Sequence, residues 1–424
     1  MAIKKPIPIT RPYIGSKEGR NACKVIKSGW LTQGPVVRKF EEDFADYVRA
    51  KHACAVSSCT TALHLALLAV GVRPGNFVIT VSHSFIATAN AVRYCMAEPA
   101  FVDIDPGTYN ISPEKLEHFL KNECVKAGGG LVYKKAKFCA RGESPLSVLD
   151  KHSGEFGRVA AILAVHQMGM PCDIERIVKI GRAYSLPVVE DAACALGSEY
   201  LPGRGKGYEK IGKPHGEIAC FSFHPRKVLT TGDGGMITTN NSAYDEKFRL
   251  LRQHGMNISD VVRHASKKII AESYVTTGFN YRMTDIQAAV GIEQLKNINT
   301  MLKARRDLVS AYKRYLGGVS WIGLPKEPDY ARTNWQSYAI RILKDAPVSR
   351  DALMNYLLSK GIATRFGIMN AHAEEPYKNS EFILPESESA RSEAMLLPLY
   401  PELTKDQVKR ISSLISQCEG AIDD

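Results

Sequence analysis

Over most of its first 240 residues the chain alternates short apolar runs with stretches whose apolar positions recur every three or four residues. Val36, Phe40, Phe44 and Val48 fall at helical spacing and predict a helix over 36–48 with one buried face. Apolar runs follow at 53–56, 77–81 and 100–103, separated by helical patterns at 60–70 and 85–94. The same alternation resumes with runs at 159–165, 187–190 and 218–223 and a helical pattern at 174–184. Strands that are continuously Val, Ile, Ala and Phe are buried on both faces, so the pattern predicts a mostly parallel sheet sandwiched by helices. Ligands of such α/β sheets bind just past the carboxyl ends of the strands. The residues that follow each run are therefore the ones to inspect.

The flanking segments follow a looser pattern. Residues 1–20, with Pro6, Pro8 and Pro12, read as an extended arm, and GWLTQGP (29–35) reads as a loop because Gly and Pro punctuate both sides of Trp30 and Leu31. A long helix is predicted over 285–316, leading into a smaller carboxyl-terminal α+β domain with a strand at 335–343, a helix at 350–360 and a closing helix at 404–418. The expected division is a large domain over 1–290 and a linking helix with a small domain over 291–424.

Composition narrows the class without deciding it. The 424 residues carry a formal net charge of +12, but Lys and Arg are spread along the chain and no basic run is interleaved with aromatics. That excess fits solvated surface charge or attraction of a small anionic substrate such as a sugar nucleotide, and not nucleic acid or membrane. Ten cysteines include no CxxC pair and no metal-ligand spacing, so neither a disulfide framework nor a metal site is expected. The start, MAIKKPIPIT, lacks an apolar signal region, and the longest apolar run, near 65–70, is too short to cross a bilayer. A cytoplasmic protein with reduced thiols is the expectation.

Chemistry-bearing residues do follow the strands. SSCTTALHLAL (57–67) joins a strand end to a helix start, with Ser58 or Thr60 as N-cap, a junction that can hold a phosphate or simply cap the helix. HSFIATAN (83–90) puts Phe85 at a strand end, where its ring either stacks on a heteroaromatic group or joins the core. Asp191 in VVEDAACALG ends another strand; a buried carboxylate there requires a cation or serves as a helix cap. Finally FSFHPRKVLTTGDGGM (221–236) delivers Ser222, then Lys227, then a glycine turn at 232–235. A lysine amine in a partly buried, cation-rich site loses its proton more easily and becomes a nucleophile.

These motifs, with VDIDPGTYNIS, VHQMGMPCDIERI, GFNYRMTDIQAAVGIEQL and LPLYPELT in order along nearly the whole chain, resemble the DegT/DnrJ/EryC1/StrS family of fold type I sugar aminotransferases. The resemblance implies that Lys227 carries pyridoxal 5'-phosphate as a Schiff base and that Asp191 partners the pyridinium nitrogen. It implies that Phe85 stacks on the ring, that Cys59, Thr60 and Ser222 cradle the phosphate, and that Cys194 lies near the ring where the family commonly has Gln or His. Asn280 in GFNYR would reach the phosphate in the opposite subunit of a homodimer with shared active sites. Thr32, Arg365 and His372 are candidates to touch the substrate. The implied reaction moves an amino group from an amino acid, usually L-glutamate, to a keto group of a nucleotide-linked sugar.

Two other readings stand beside it. A related group of sugar dehydratases has His where this chain has Lys227, which favours aminotransfer here. The same fold also serves for regulation or partner binding, since fold alone does not give function. Cys59 stands where the family commonly has Gly and is expected to adopt an ordinary φ. The segment 124–156, with AGGG and Lys134, Lys135 and Lys137, reads as an insertion whose lysines are expected to reach the substrate's phosphates.

Overall fold

The computed structural model describes residues 6–203, 205–258, 271–378 and 382–418. Its centre is a seven-stranded sheet made of β1 (His52–Val56), β2 (Phe77–Val81), β3 (Glu98–Val102), β4 (Val159–Val165), β5 (Val188–Asp191), β6 (Ile218–Ser222) and β7 (Gly235–Thr239). The strand order is β1-β7-β6-β5-β4-β2-β3, and only β7 runs antiparallel to its neighbours. Every strand is nearly continuous in buried residues, as a sheet covered on both faces requires. Two apolar layers do the covering: one contains Phe40, Phe44 and Phe223, the other Leu63, Leu65, Val92 and Phe248. The mostly parallel, helix-sandwiched architecture expected from the apolar runs is therefore present.

The helices on the site side follow the predicted pattern closely. Helix α2 (Pro35–Val48) buries Phe40, Phe44 and Val48, α3 (Cys59–Ala69) follows β1, and α4 (Ala87–Tyr94) follows β2. The Phe40, Phe44, Phe221 and Phe223 rings meet edge-on or tilted at 5.1–6.1 Å between centroids, so α2 is locked to the strand that leads to Lys227.

Four expectations need correction. Part of the predicted arm is helical: α1 spans Ser16–Ser28, and only residues 1–5 of the arm lie outside the described residues. Only Glu18 and Val25 are buried in it, so it lacks a readable apolar stripe; polar contacts dock it instead, with Gln294 donating to Glu18 and Asn21 to Glu293. The long helix is two, α5 (Asp285–Lys296) and α6 (Ile298–Leu316), broken where Asn297 takes φ −93° and ψ 0°. The strand predicted over 335–343 begins only at Tyr338, because Trp335 sits at φ +52°.

The fourth correction concerns the insertion. Its hairpin (Cys124–Ala127 with Gly130–Tyr133) bridges through Val132 to Arg158, just before β4, while Ser144 donates to Glu98 at the start of β3. These are amino ends of parallel strands, and Lys227 lies beyond the carboxyl end of β6. The Lys134 ammonium donates to the Asn122 carbonyl and Lys135 pairs with Glu123 at 3.0 Å. Within this chain the segment is on the far side of the sheet from Lys227, and its lysines do not reach that site.

A second core surrounds a four-stranded sheet formed by Ile322–Gly323, Tyr338–Ile342, Arg365–Phe366 and Ala394–Leu397, packed on α6 and on α7 (Lys405–Ser416). Ile7 of the arm belongs to this core and bridges to Ile362.

One buried ion cluster holds α2 against the sheet. Glu41 accepts from Arg252, from Arg249 at 2.8 Å and from the Ala55 amide at 2.9 Å. Burial works against its charge, but the two guanidiniums outweigh that and keep its pKa below the ordinary carboxylate value. Removing one partner of such a pair leaves an uncompensated buried charge. Glu41→Leu, which leaves the buried Arg252 guanidinium without its carboxylate, is expected to lose about 3–5 kcal/mol of stability, checked as a lower urea midpoint with an unchanged slope.

Candidate active site

The carboxyl ends of β1, β2, β5 and β6 converge on one place, and most of the predicted residues are there. At the end of β1, Ser58 caps α3 by accepting from the Thr61 amide at 3.2 Å, while Thr61 returns the contact to the Ser58 amide. That leaves the first-turn amides of Cys59 and Thr60 at the positive end of the helix for a ligand. Cys59 keeps an ordinary φ, as expected, and burial pushes its thiol pKa well up, so a neutral group sits beside those amides.

The strand across from Ser222 closes on the same junction. Ser222 pairs with Gly235, and a Cβ at Gly235 would meet the Ser58 carbonyl atoms at 2.5 Å and the Cys59 nitrogen at 2.8 Å. Only glycine lets β7 approach the start of α3 this closely, and Ser222 is paired with that glycine across the strand.

Asp191 ends β5 at 4% exposure. Its carboxylate accepts from Thr88 Oγ1 at 2.8 Å and from the Ala193 amide at 3.1 Å. Burial drives its pKa up, opposed by Thr88, the Ala193 amide and the charge of Lys227. A carboxylate so placed lacks full compensation and favours a cation brought to it. Behind it, the His166 amide donates to the Asp191 carbonyl. The His166 ring accepts from the Cys172 amide at 3.0 Å, which fixes its other nitrogen as the donor to Glu190. Thr88 and His166 were not singled out from the sequence. The first lies one helical turn beyond Phe85, and the second ends an apolar run.

Lys227 sits in the turn after β6 and donates from Nζ to Cys194 Sγ at 3.1 Å. The site is not cation-rich as expected: burial works against the lysine charge, but the contact with Cys194 and the nearby Asp191 carboxylate outweigh it and hold the pKa above the ordinary lysine value. Cys194 therefore faces the lysine nitrogen. Phe85 stands four residues past the end of β2 with 63% of its surface exposed.

The remaining candidates fall elsewhere or are engaged. Asn280 is exposed and bridges to Gln253. Thr32 is exposed, and its carbonyl accepts from the Asp285 amide that starts α5. Arg365 lies on an exposed edge strand, near enough to Arg226 to lower its pKa after burial. His372 has both ring nitrogens occupied, Nδ1 with Ser82 Oγ at 2.6 Å and Nε2 with Glu388 at 3.5 Å. That arrangement latches the segment before Tyr377 onto the end of β2.

A group with a phosphate, a flat ring and a protonated ring nitrogen matches this donor set. The α3 amides and Ser222 could take a phosphate, Phe85 a ring face and Asp191 a protonated nitrogen, and Lys227 could supply an amine. Among the described residues no cluster suited to a metal ion is present, and no helix is long and apolar enough to cross a membrane.

The chain matches the DegT/DnrJ/EryC1/StrS aminotransferase family over residues 12–128 and 147–416, so part of the hairpin segment falls outside the match. It is 34% identical over 409 residues to an uncharacterized protein of Methanocaldococcus jannaschii, MJ1066, with 95% of each chain covered. It is 32% identical over 410 residues to the spore coat polysaccharide biosynthesis protein SpsC of Bacillus subtilis, covering 95% of this chain and 94% of the other. Among solved structures, S. venezuelae DesV in complex with a ketimine intermediate superposes with a TM-score of 0.80 at 27% identity, covering 99% of this chain and 100% of that one.

Proposed function

The chain belongs to the DegT/DnrJ/EryC1/StrS aminotransferase family, and from that premise we propose that it is a pyridoxal 5'-phosphate-dependent enzyme that moves an amino group from L-glutamate to a keto group of a nucleotide-linked sugar. The observation that carries the reading is the placement of Lys227 Nζ among Cys194, Cys59 and the buried carboxylate of Asp191. The relative named for spore coat polysaccharide biosynthesis supports the sugar setting, and the DesV ketimine complex supports imine chemistry at such a site. A homodimer in the cytoplasm, with Asn280 completing the partner's phosphate site, belongs to the same reading.

Bound at this site, the cofactor supplies an electron sink for the bond-breaking at the donor carbon. Asp191 keeps the pyridine nitrogen protonated, and Thr88 and the Ala193 amide hold that carboxylate in place. The Cys59 and Thr60 amides with Ser222 anchor the phosphate, and Phe85 keeps water from one ring face. Lys227 would tether the cofactor through Nζ, and the same nitrogen, when free, would hold and move a proton at the donor carbon as a positioned acid and base.

Purified protein incubated with pyridoxal phosphate is expected to gain a visible band. L-glutamate should bleach that band, and a keto sugar linked to a nucleotide should restore it. A band that persists against glutamate and against a panel of other amino acids contradicts the proposal and points to a cofactor-binding partner or regulator.

A further inference from the structure

Cys194 and Lys227 are held from outside the central sheet, by two residues of one short segment. Asn334 Nδ2 donates to the Cys194 carbonyl at 2.8 Å and to the Leu196 carbonyl at 2.9 Å. Two residues on, Gln336 Nε2 donates to the carbonyl of Arg226, the residue before Lys227, at 2.5 Å. Both amides are buried, Asn334 fully and Gln336 to 8% exposure. They are also tied to each other, because the Gln336 amide donates to Asn334 Oδ1 at 2.8 Å across Trp335. Trp335 has φ +52°, a conformation unfavourable for a non-glycine residue that persists only where its surroundings impose it.

The packing around this clamp leaves no slack. Ser198 Oγ accepts from the Asn334 amide at 3.0 Å and donates to the Gly169 carbonyl at 2.6 Å. A Cβ at Gly169 would lie 2.0 Å from Asn334 Oδ1 and 3.1 Å from the Cys194 carbonyl. The turn carrying Cys194 and the turn carrying Lys227 are thus fixed at their backbones by one rigid segment, and their side chains meet at 3.1 Å.

We infer that Cys194 is the positioning residue for the Lys227 nitrogen, and that Asn334 and Gln336 act through it by locking the two turns at the distance that keeps sulfur and nitrogen in contact. The inference rests on the proposed role of Lys227 and deepens it. The groups that face Lys227 are the Cys194 and Cys59 thiols and the Asp191 carboxylate, with the His224 ring near enough to feel its charge. Of these, Cys194 alone makes a hydrogen bond to Nζ among the described residues, and it is the largest influence holding the proton on.

The test uses the cofactor-free protein, whose lysine must lose its proton before it attacks the pyridoxal phosphate aldehyde. The pH at which uptake reaches half its maximal rate, followed as growth of the visible band, therefore reports the acidity of Nζ. Cys194→Ala is expected to move that midpoint down by about one unit, since it removes the partner that holds the proton on. Asn334→Ala should move it the same way, and the double variant no further than Cys194→Ala. Gln336→Met releases the Lys227 side of the clamp, and repeats the test if Asn334→Ala does not fold. Midpoints equal to wild type in folded Cys194→Ala and in whichever clamp variant folds overturn the inference while leaving the Lys227 reading intact. A wild-type protein that takes up no cofactor overturns the Lys227 reading instead.

Discussion

Lys227→Ala is expected to lose aminotransfer by about 10⁴-fold or more, because the residue both tethers the cofactor and carries the proton. The variant should still fold and still retain some pyridoxal phosphate, because the α3 amides, Ser222, Phe85 and Asp191 do not depend on the lysine. Its urea midpoint should fall modestly at neutral pH, since the groups around Nζ outweigh burial and the folded chain holds the lysine proton more tightly than the unfolded one. Overlaid progress curves for donor consumption check the first point, and equilibrium dialysis of the cofactor checks the second. An Ala variant that keeps a tenth of wild-type activity would place the proton transfer on another residue.

Asp191→Asn separates stability from function in a way few substitutions do. The shape is conserved, and Thr88 and the Ala193 amide remain in place, but the negative charge is gone. Aminotransfer is expected to fall by about 10³-fold, the scale of losing one aligned electrostatic partner in a water-poor site. Stability should move the other way in the cofactor-free protein. Burial raises the Asp191 pKa on folding, so between the ordinary and the raised value the folded chain holds more protons than the unfolded chain, and stability falls as pH rises through that window. Above that window the loss is complete in wild type and absent in the Asn variant, which is therefore expected to unfold at a higher urea concentration there. Adding the cofactor should narrow or reverse the difference, because its ring nitrogen pairs with the carboxylate in wild type alone. A variant equal to wild type in activity would remove Asp191 from the mechanism.

The parts of this site that could be read from the chain are those where a local rule and a strand end coincide. Buried apolar runs located β2, β4, β5 and β6, and Asp191, Phe85 and Lys227 follow their carboxyl ends. Ser58 was readable as a cap because a hydroxyl before an apolar helical stretch has few other uses. What escaped depends on contacts between residues far apart in sequence. Thr88 matters because α4 crosses above the end of β5, and Asn334 because a strand that stops short at a positive φ turns its amide toward Cys194. His372 had a motif behind it, but its ring is held by Ser82, 290 positions away. The lysines of the 124–156 segment were placed at the substrate by charge alone, and the pairing of Val132 with Arg158 puts them at the opposite end of the sheet. Helix α1 escaped for a different reason: a helix docked by Glu18 and Asn21 has no apolar stripe to announce it.

The claim on which the rest depends is that one lysine of the chain, Lys227, receives the cofactor. Borohydride reduction of the cofactor-loaded protein, followed by peptide mass mapping, tests it directly. The account predicts a single pyridoxyl-phosphate adduct, on Lys227 of FSFHPRKVLTTGDGGM, that is absent when L-glutamate is added before reduction. An adduct on a different lysine, or none on Lys227 in protein that has taken up the cofactor, would contradict it.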